Sequence, residues 1–157
     1  MAAIDYDDME DQISSILSSY TGLQTSDGVK VLVEEDFSQV VGALDNGKIV
    51  IIYLDDRSAT PGQPIAAGQQ TRMDIGFSIW IAAVSVHSFR KAAELRTDLI
   101  GKVELALMAN RTLNNRAASS WLLGGEFHSA RKKSPAGLVY MAMGEVKLVA
   151  EATASTQ

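Results

Sequence analysis

The stretch TRMDIGFSIWIAAVSV, residues 71–86, decides the fold, because apolar and less apolar side chains alternate along it. Successive side chains of a β-strand point to opposite faces, so this period of two predicts a long strand with one face on a core. Trp80 falls on the less apolar face, where we expect either a second layer of structure or a contact between subunits. The core-facing positions are Met73, Ile75, Phe77, Ile79 and Ile81.

Two amphipathic helices flank this strand in the sequence. Apolar residues at helical spacing predict a helix over about residues 5–20, with Asp5 as its N-cap. A longer helix is predicted over about residues 89–109. Asp98 and Lys102 lie one turn apart in this second helix, a spacing that favours an ion pair on its surface.

The remaining elements are strands and one short helical segment. The sequence predicts a short strand over residues 29–33, a short helical turn or an ordered connection over about 37–44, and a buried strand over 48–54. A closing hairpin is predicted from one strand over 121–129 and a return strand over 138–150.

This order predicts an α+β fold made of one domain over residues 1–150 and a flexible tail over residues 151–157. We expect a mostly antiparallel sheet of about four to five strands, with two main helices packed on one face and one long extended loop. A chain of 157 residues is long enough to form a core of its own.

The long loop is residues 56–70, DRSATPGQPIAAGQQ, which show no apolar periodicity. Loops longer than about 12–15 residues are uncommon in compact domains and usually have a function. The segment has no set of side chains for bond-making chemistry, so it predicts an arm that binds another molecule. The candidate interaction residues on and beside it are Arg57, Thr60, Gln63, Ile65, Gln69, Gln70 and Arg72.

Charge is distributed unevenly along the chain. Residues 1–56 carry 12 acids and 2 bases, whereas residues 57–157 carry 7 acids and 12 bases. One interpretation is self-complementarity, in which an acidic face of one copy meets a basic face of the next. Ordinary surface scatter and a weak nucleic-acid signal are the alternatives. Arg131, Lys132 and Lys133 are likewise either a phosphate patch or, as we favour, a charged strand end that blocks edge pairing.

Neither an enzyme nor a metal or cofactor site is predicted. The chain has no cysteine, so disulfides and thiolate ligands are excluded, and its two histidines, His87 and His128, are far apart in sequence. Asp55 and Asp56 are adjacent strand residues, which predicts that they point to opposite faces and share no site. Gly124 and Gly125 predict a bulge or a close packing contact. We expect no membrane segment and synthesis in the cytoplasm.

The whole pattern resembles the tail terminator proteins of tailed bacteriophages, particularly those of Mu-like phages with contractile tails. The resemblance lies in element order over roughly residues 4–150: an acidic helix, the strand at Lys48–Leu54, a polar loop, the alternating strand from Arg72, the helix start at Ser88–Ala92 and a hairpin. It has no diagnostic motif and implies no catalytic residue.

The resemblance implies a structural protein of the virion, assembled in the host cytoplasm. Such subunits form a ring, typically a hexamer, that caps the tail tube, ends its polymerisation and joins the tail to the head connector. The implied partners are further copies of the chain, the tail tube protein and a neck protein, and DNA only passes through the channel. Another neck, head-completion, baseplate or minor tail protein is the alternative. The loop is expected to reach the tube or a neighbouring subunit.

Overall fold

The computed structural model describes residues 3–42, 46–59, 70–134 and 137–155. Within them the chain forms a sheet flanked by helices. The helices are α1 (Tyr6–Ser19), α2 (Phe37–Gly42) and α3 (Phe89–Ala109), with a short 3-10 turn at Thr25–Asp27. The strands are β1 (Val29–Val33), β2 (Gly47–Ala59), β3 (Gln70–Ser85), β4 (Ser119–Gly124), β5 (Phe127–Ser134) and β6 (Gly137–Ser155).

The strands form one mixed sheet in the order β1-β2-β3-β6-β4, and β5 also pairs with β6, beyond the end of β4. β1 is parallel to β2, and every other pair is antiparallel. The predicted α+β class with a mostly antiparallel sheet is therefore confirmed. The predicted number of strands was too low, because the segment taken for one strand of a hairpin forms β4 and β5.

The alternation along β3 places one face of the sheet against α1 and α3. Ile79 and Ile81 are fully buried there with Phe77, in a cluster that includes Ile13 of α1 and Val103 of α3. Both helices lie where the sequence predicted them and begin at side-chain caps. Asp5 accepts a hydrogen bond from the backbone N–H of Asp8, and Ser88 accepts one from that of Lys91. The predicted ion pair of Asp98 and Lys102 is also present, at 2.7 Å.

The short helix α2 lies on the opposite face of the sheet. Phe37 of α2 packs on Trp80, with 5.4 Å between the ring centroids. Trp80 alternates with Ile79 and Ile81, so it points away from α1 and α3. Of the two roles expected for Trp80, the structure shows the second layer, and Trp80 remains half-buried beneath it.

The predicted strand over residues 121–129 was wrong because the chain leaves the sheet at Gly124–Gly125. The register against β6 shifts between Leu122 and Gly124, and β5 then pairs with the other half of β6. A Cβ atom added at Gly125 would lie 1.8 Å from the carbonyl oxygen of Glu145. The predicted close packing at this glycine pair is therefore confirmed, and it is the point that separates β4 from β5.

The predicted loop and tail were too long. Asp56–Ala59 belong to β2 and pair with Met73–Gly76 of β3, and Gln70 already belongs to β3. Glu151–Ser155 continue β6 and pair with Gln70–Asp74. Because these strand ends carry mainly polar side chains, they show no strand pattern in the sequence. Backbone pairing with an adjacent strand stabilises them.

We expect Gly125→Ala to destabilise the protein by about 1–3 kcal/mol, because its methyl group would overlap the backbone of β6. Gly101→Ala is the matched control, since a Cβ at Gly101 in α3 meets nothing within 4 Å. That substitution should be neutral or stabilising by up to about 1 kcal/mol. Urea unfolding measures both changes, and equal unfolding midpoints for the two variants would contradict the packing role of Gly125.

Candidate interaction surfaces

An acidic edge lies beside the outer strand β1, and we define it as Asp7 of α1 and Glu34, Glu35 and Asp36, which follow β1. β1 pairs only with β2 among the described strands, and Glu34–Asp36 follow directly at its end. The hydroxyl of Tyr53 donates to the carbonyl oxygen of Glu35 and fixes this segment against β2. No acid of the acidic edge has a basic partner within salt-bridge distance among the described side chains.

A buried carboxyl group of α1 lies behind the acidic edge. Glu10 is only 3% exposed, and its Oε2 atom has no hydrogen-bond partner in the described part of the chain. Burial, the contact with Glu34 and the charges of Glu34 and Asp7 together raise the pKa of Glu10 to about 8. Glu34 itself accepts a hydrogen bond from the backbone N–H of Leu54, at 2.7 Å. At neutral pH Glu10 is therefore mostly protonated.

The opposite side of the sheet carries a basic edge, which we define as Arg90, Arg96 and Arg131. Arg131 lies on β5, which among the described strands pairs only with β6, and its guanidinium is 5.3 Å from the ring centroid of Phe89. Arg96 of α3 lies 4.8 Å from the ring centroid of Phe127, the first residue of β5. These cation–π contacts hold the guanidinium groups at the edge without neutralising their charge.

Neither Arg96 nor Arg131 has a carboxylate within salt-bridge distance in the described ranges. The Nε atom of Arg96 is buried and lacks a hydrogen-bond partner there. Lys132 and Lys133 follow Arg131 along the backbone of β5. The predicted basic run therefore lies on an outer strand. We predicted this run to be a charged strand end rather than a phosphate patch.

The sheet face opposite α1 and α3 is covered over part of its area by α2. Trp121, Met141, Met143 and Val149 are half-buried on this face. Glu145, which lies opposite Trp80, and Lys147 form an ion pair between Met143 and Val149 and divide these apolar side chains into separate groups.

Asp55 and Asp56 lie on the same face of the sheet, and the prediction that they point to opposite faces was wrong. The register of β2 against β3 shifts between Leu54 and Asp56, which leaves Asp55 in a bulge. Asp55 accepts a hydrogen bond from Ser78 at 3.3 Å, and a Cβ at Gly76 would lie 2.1 Å from Oδ1 of Asp56. Gly76 thus leaves room for the second carboxylate.

A charged residue lies near the end of each of the two strands that flank the predicted arm. Arg57 of β2 donates to the hydroxyl of Tyr6 at 3.2 Å, on the helix-covered face. Arg72 of β3 points to the other face and pairs with Glu151 of β6 at 3.0 Å. Gln70 begins β3. The remaining arm residues Thr60, Gln63, Ile65 and Gln69 lie outside the described residues.

The predicted interaction residues therefore occupy separate places in the fold. Arg57 and Arg72 lie at the base of the arm, and Trp80 lies eight residues from Arg72 along β3, about 26 Å at the rise of a β-strand. Arg131 lies on the far edge of the sheet. The described part of the structure does not bring them together into one site.

Sequence reasoning missed one shallow groove between the end of α3 and β4. The groove has a volume of about 370 Å³, and Leu107, Met108, Trp121 and Leu122 are among the residues that line it. Met108 is 59% exposed. The sequence signal for this groove was an exposed methionine on an amphipathic helix. Helical periodicity alone does not show which element lies beside that methionine.

The described side chains include no group of three or more histidines, cysteines or acids placed to hold a metal ion. His128 has one acidic neighbour, Glu126, at 3.4 Å. The surfaces that stand out in the described ranges are therefore charged edges and partly apolar faces.

In comparisons with known proteins, no family model and no curated protein matches this chain. Among the residues that the structure describes, no helix combines the length and the apolar character that crossing a bilayer requires.

The raised pKa of Glu10 predicts how stability depends on pH. Between pH 4.5 and about 8 the folded protein retains a proton that the unfolded chain releases, so stability should fall as pH rises through this range. Glu10→Gln removes this dependence and should be more stable than the parent chain at the alkaline end, by roughly 1–3 kcal/mol.

Urea unfolding over a pH series measures this effect. Asp11→Asn, which alters an exposed acid of the same helix, is the control and should preserve the slope of the parent chain. Parallel pH profiles for Glu10→Gln and the parent would show that Glu10 is ionised in the folded protein.

Proposed function

We propose that this chain is a structural subunit of a bacteriophage tail. Copies of it form a closed ring that binds the last layer of the tail tube, ends tube polymerisation and offers a surface to the head connector. The observation that carries the proposal is that one sheet ends in two edges of opposite charge, and that neither outer strand pairs with a further strand in the described part of the chain. Each copy thus has two different and complementary sides, as a subunit of a ring requires.

The nature of the described surfaces supports this proposal over a catalytic function. The groove beside β4 is shallow, and the ionisable groups with altered pKa values lie in structural contacts. Asp8, for example, is bound by Arg116, whose hydrogen bond lowers the pKa of its carboxyl group and joins α1 to the segment after α3. Such contacts make a rigid body whose shape can be used in assembly.

The support of the arm also fits an assembly function. β2 and β3 both reach the ends of residues 60–69, and β6 extends beside β3 as far as Ser155. Three paired strands thus form a firm base on either side of residues 60–69, from which an arm can reach a tube surface. The identity of the tube as the partner rests on the resemblance in element order.

We expect the purified chain to limit tube growth when it is added to polymerising tail tube protein. Electron micrographs should show shorter tubes with an additional ring at one end. A variant in which a short Gly-Ser linker replaces residues 61–68 should lose this capping while its thermal unfolding midpoint stays close to that of the parent, because the paired strands at the base are retained.

A matched control replaces Leu105, an exposed residue of α3, with Ser. Its capping should equal that of the parent. Unchanged tube lengths with the parent chain would overturn the proposed function. Full capping by the shortened variant would instead show that the arm is not the tube-binding segment.

A further inference from the structure

The two charged edges face opposite directions in one sheet. β1 lies at one end of the strand order and β5 lies on the outer side of β6 at the other. Both strands have one side that pairs with no other described strand, so both expose backbone hydrogen-bonding groups. The sheet can therefore be extended at β1, beside the acidic edge, and at β5, which carries Arg131 of the basic edge.

The strand directions are compatible with such an extension. β1 is parallel to β2, and three successive antiparallel pairings lead from β2 through β3 and β6 to β5. β5 consequently runs antiparallel to β1. In a row of copies with the same orientation, β5 of one copy meets β1 of the next as an antiparallel neighbour, which is the commoner arrangement in sheets.

The charges on the two edges are of opposite sign, and most of them have no ion-pair partner among the described side chains. The acidic edge has no ion-pair partner within the described chain, and Arg96 and Arg131 of the basic edge have none either. The side chain of Arg90 is 90% exposed and pairs, among the described residues, with Glu94 of its own helix. One exposed lysine on β1, Lys30, reduces the acidic charge without reversing it.

We propose that the partner of each charged edge is a second copy of this chain, bound head to tail, with the basic edge of one copy against the acidic edge of the next. The contact is heterologous, so its repetition gives a ring where the rotation closes. The inference specifies the subunit interface of the proposed ring, and it holds for any assembly of the chain, whether or not that assembly binds a tail tube.

The test reverses each edge separately. The basic-edge variant carries Arg90→Glu and Arg131→Glu, and the acidic-edge variant carries Asp7→Lys and Glu35→Lys. Neither Asp36 nor Glu34 is altered, because their carboxylates hold the backbone N–H groups of Gln39 and Leu54. Sedimentation velocity at low ionic strength and high protein concentration measures the assembly of each chain.

We expect the parent chain to assemble, and each variant alone to assemble at least about tenfold more weakly, because like charges then face each other. An equimolar mixture of the two variants should recover assembly, since the acidic sides of one variant meet the basic sides of the other. Recovery in the mixture also shows that both variants are folded. Added salt should weaken the parent and mixed assemblies alike.

The control variant carries Lys102→Glu and Lys147→Glu, which change the net charge as much as the basic-edge variant but lie away from both edges. It should assemble like the parent. Assembly of the single-edge variants at parental strength, failure of the mixture to recover, or a parent chain that stays monomeric would each overturn the proposed interface. Tube capping is measured in a separate experiment, so a negative capping result would not change the conclusion about the subunit interface.

Discussion

The pairing of β3 on both of its sides is the constraint on which the rest of the structure depends. β3 is bonded to β2 and to β6 over nearly its whole length, so no residue in it can change face without moving two other strands. A slip of one residue would turn Ile79 and Ile81 away from α1 and α3 and place Trp80 among them. The alternation in sequence and the double pairing therefore specify the same arrangement.

This constraint explains which elements the sequence predicted well. The helix after Ser88 and the strand through Phe77 have long periodic patterns, and side-chain caps or turn residues mark where the helices begin. The ends of β2 and β6 carry no such pattern, because Asp56–Ala59 and Glu151–Ser155 are mainly small or polar. They are strands because β3 lies beside them, and a partner distant in the sequence cannot be identified from local periodicity.

Local periodicity was likewise insufficient to predict the candidate surfaces. Local rules placed Asp55 and Asp56 on opposite faces, and a bulge that depends on the pairing with Gly76 brought them together. Glu10 lies on the buried face of α1 with Ile13 and Leu17, but local periodicity could not show that Glu34, beyond the next strand, lies beside it. Composition did identify the charge asymmetry, but the strand order was needed to show where each charge lies.

Charge is uneven along the chain, and the order of the strands places the acidic and basic parts on opposite sides of the molecule. The acidic first part of the chain builds α1, β1 and β2, while the basic edge comes from α3 and β5 at the other side of the sheet. A symmetric dimer through either edge would place like charges against each other, whereas a head-to-tail contact pairs unlike charges. Electrostatics therefore discriminates between the two kinds of assembly even where the strand edges alone would permit both.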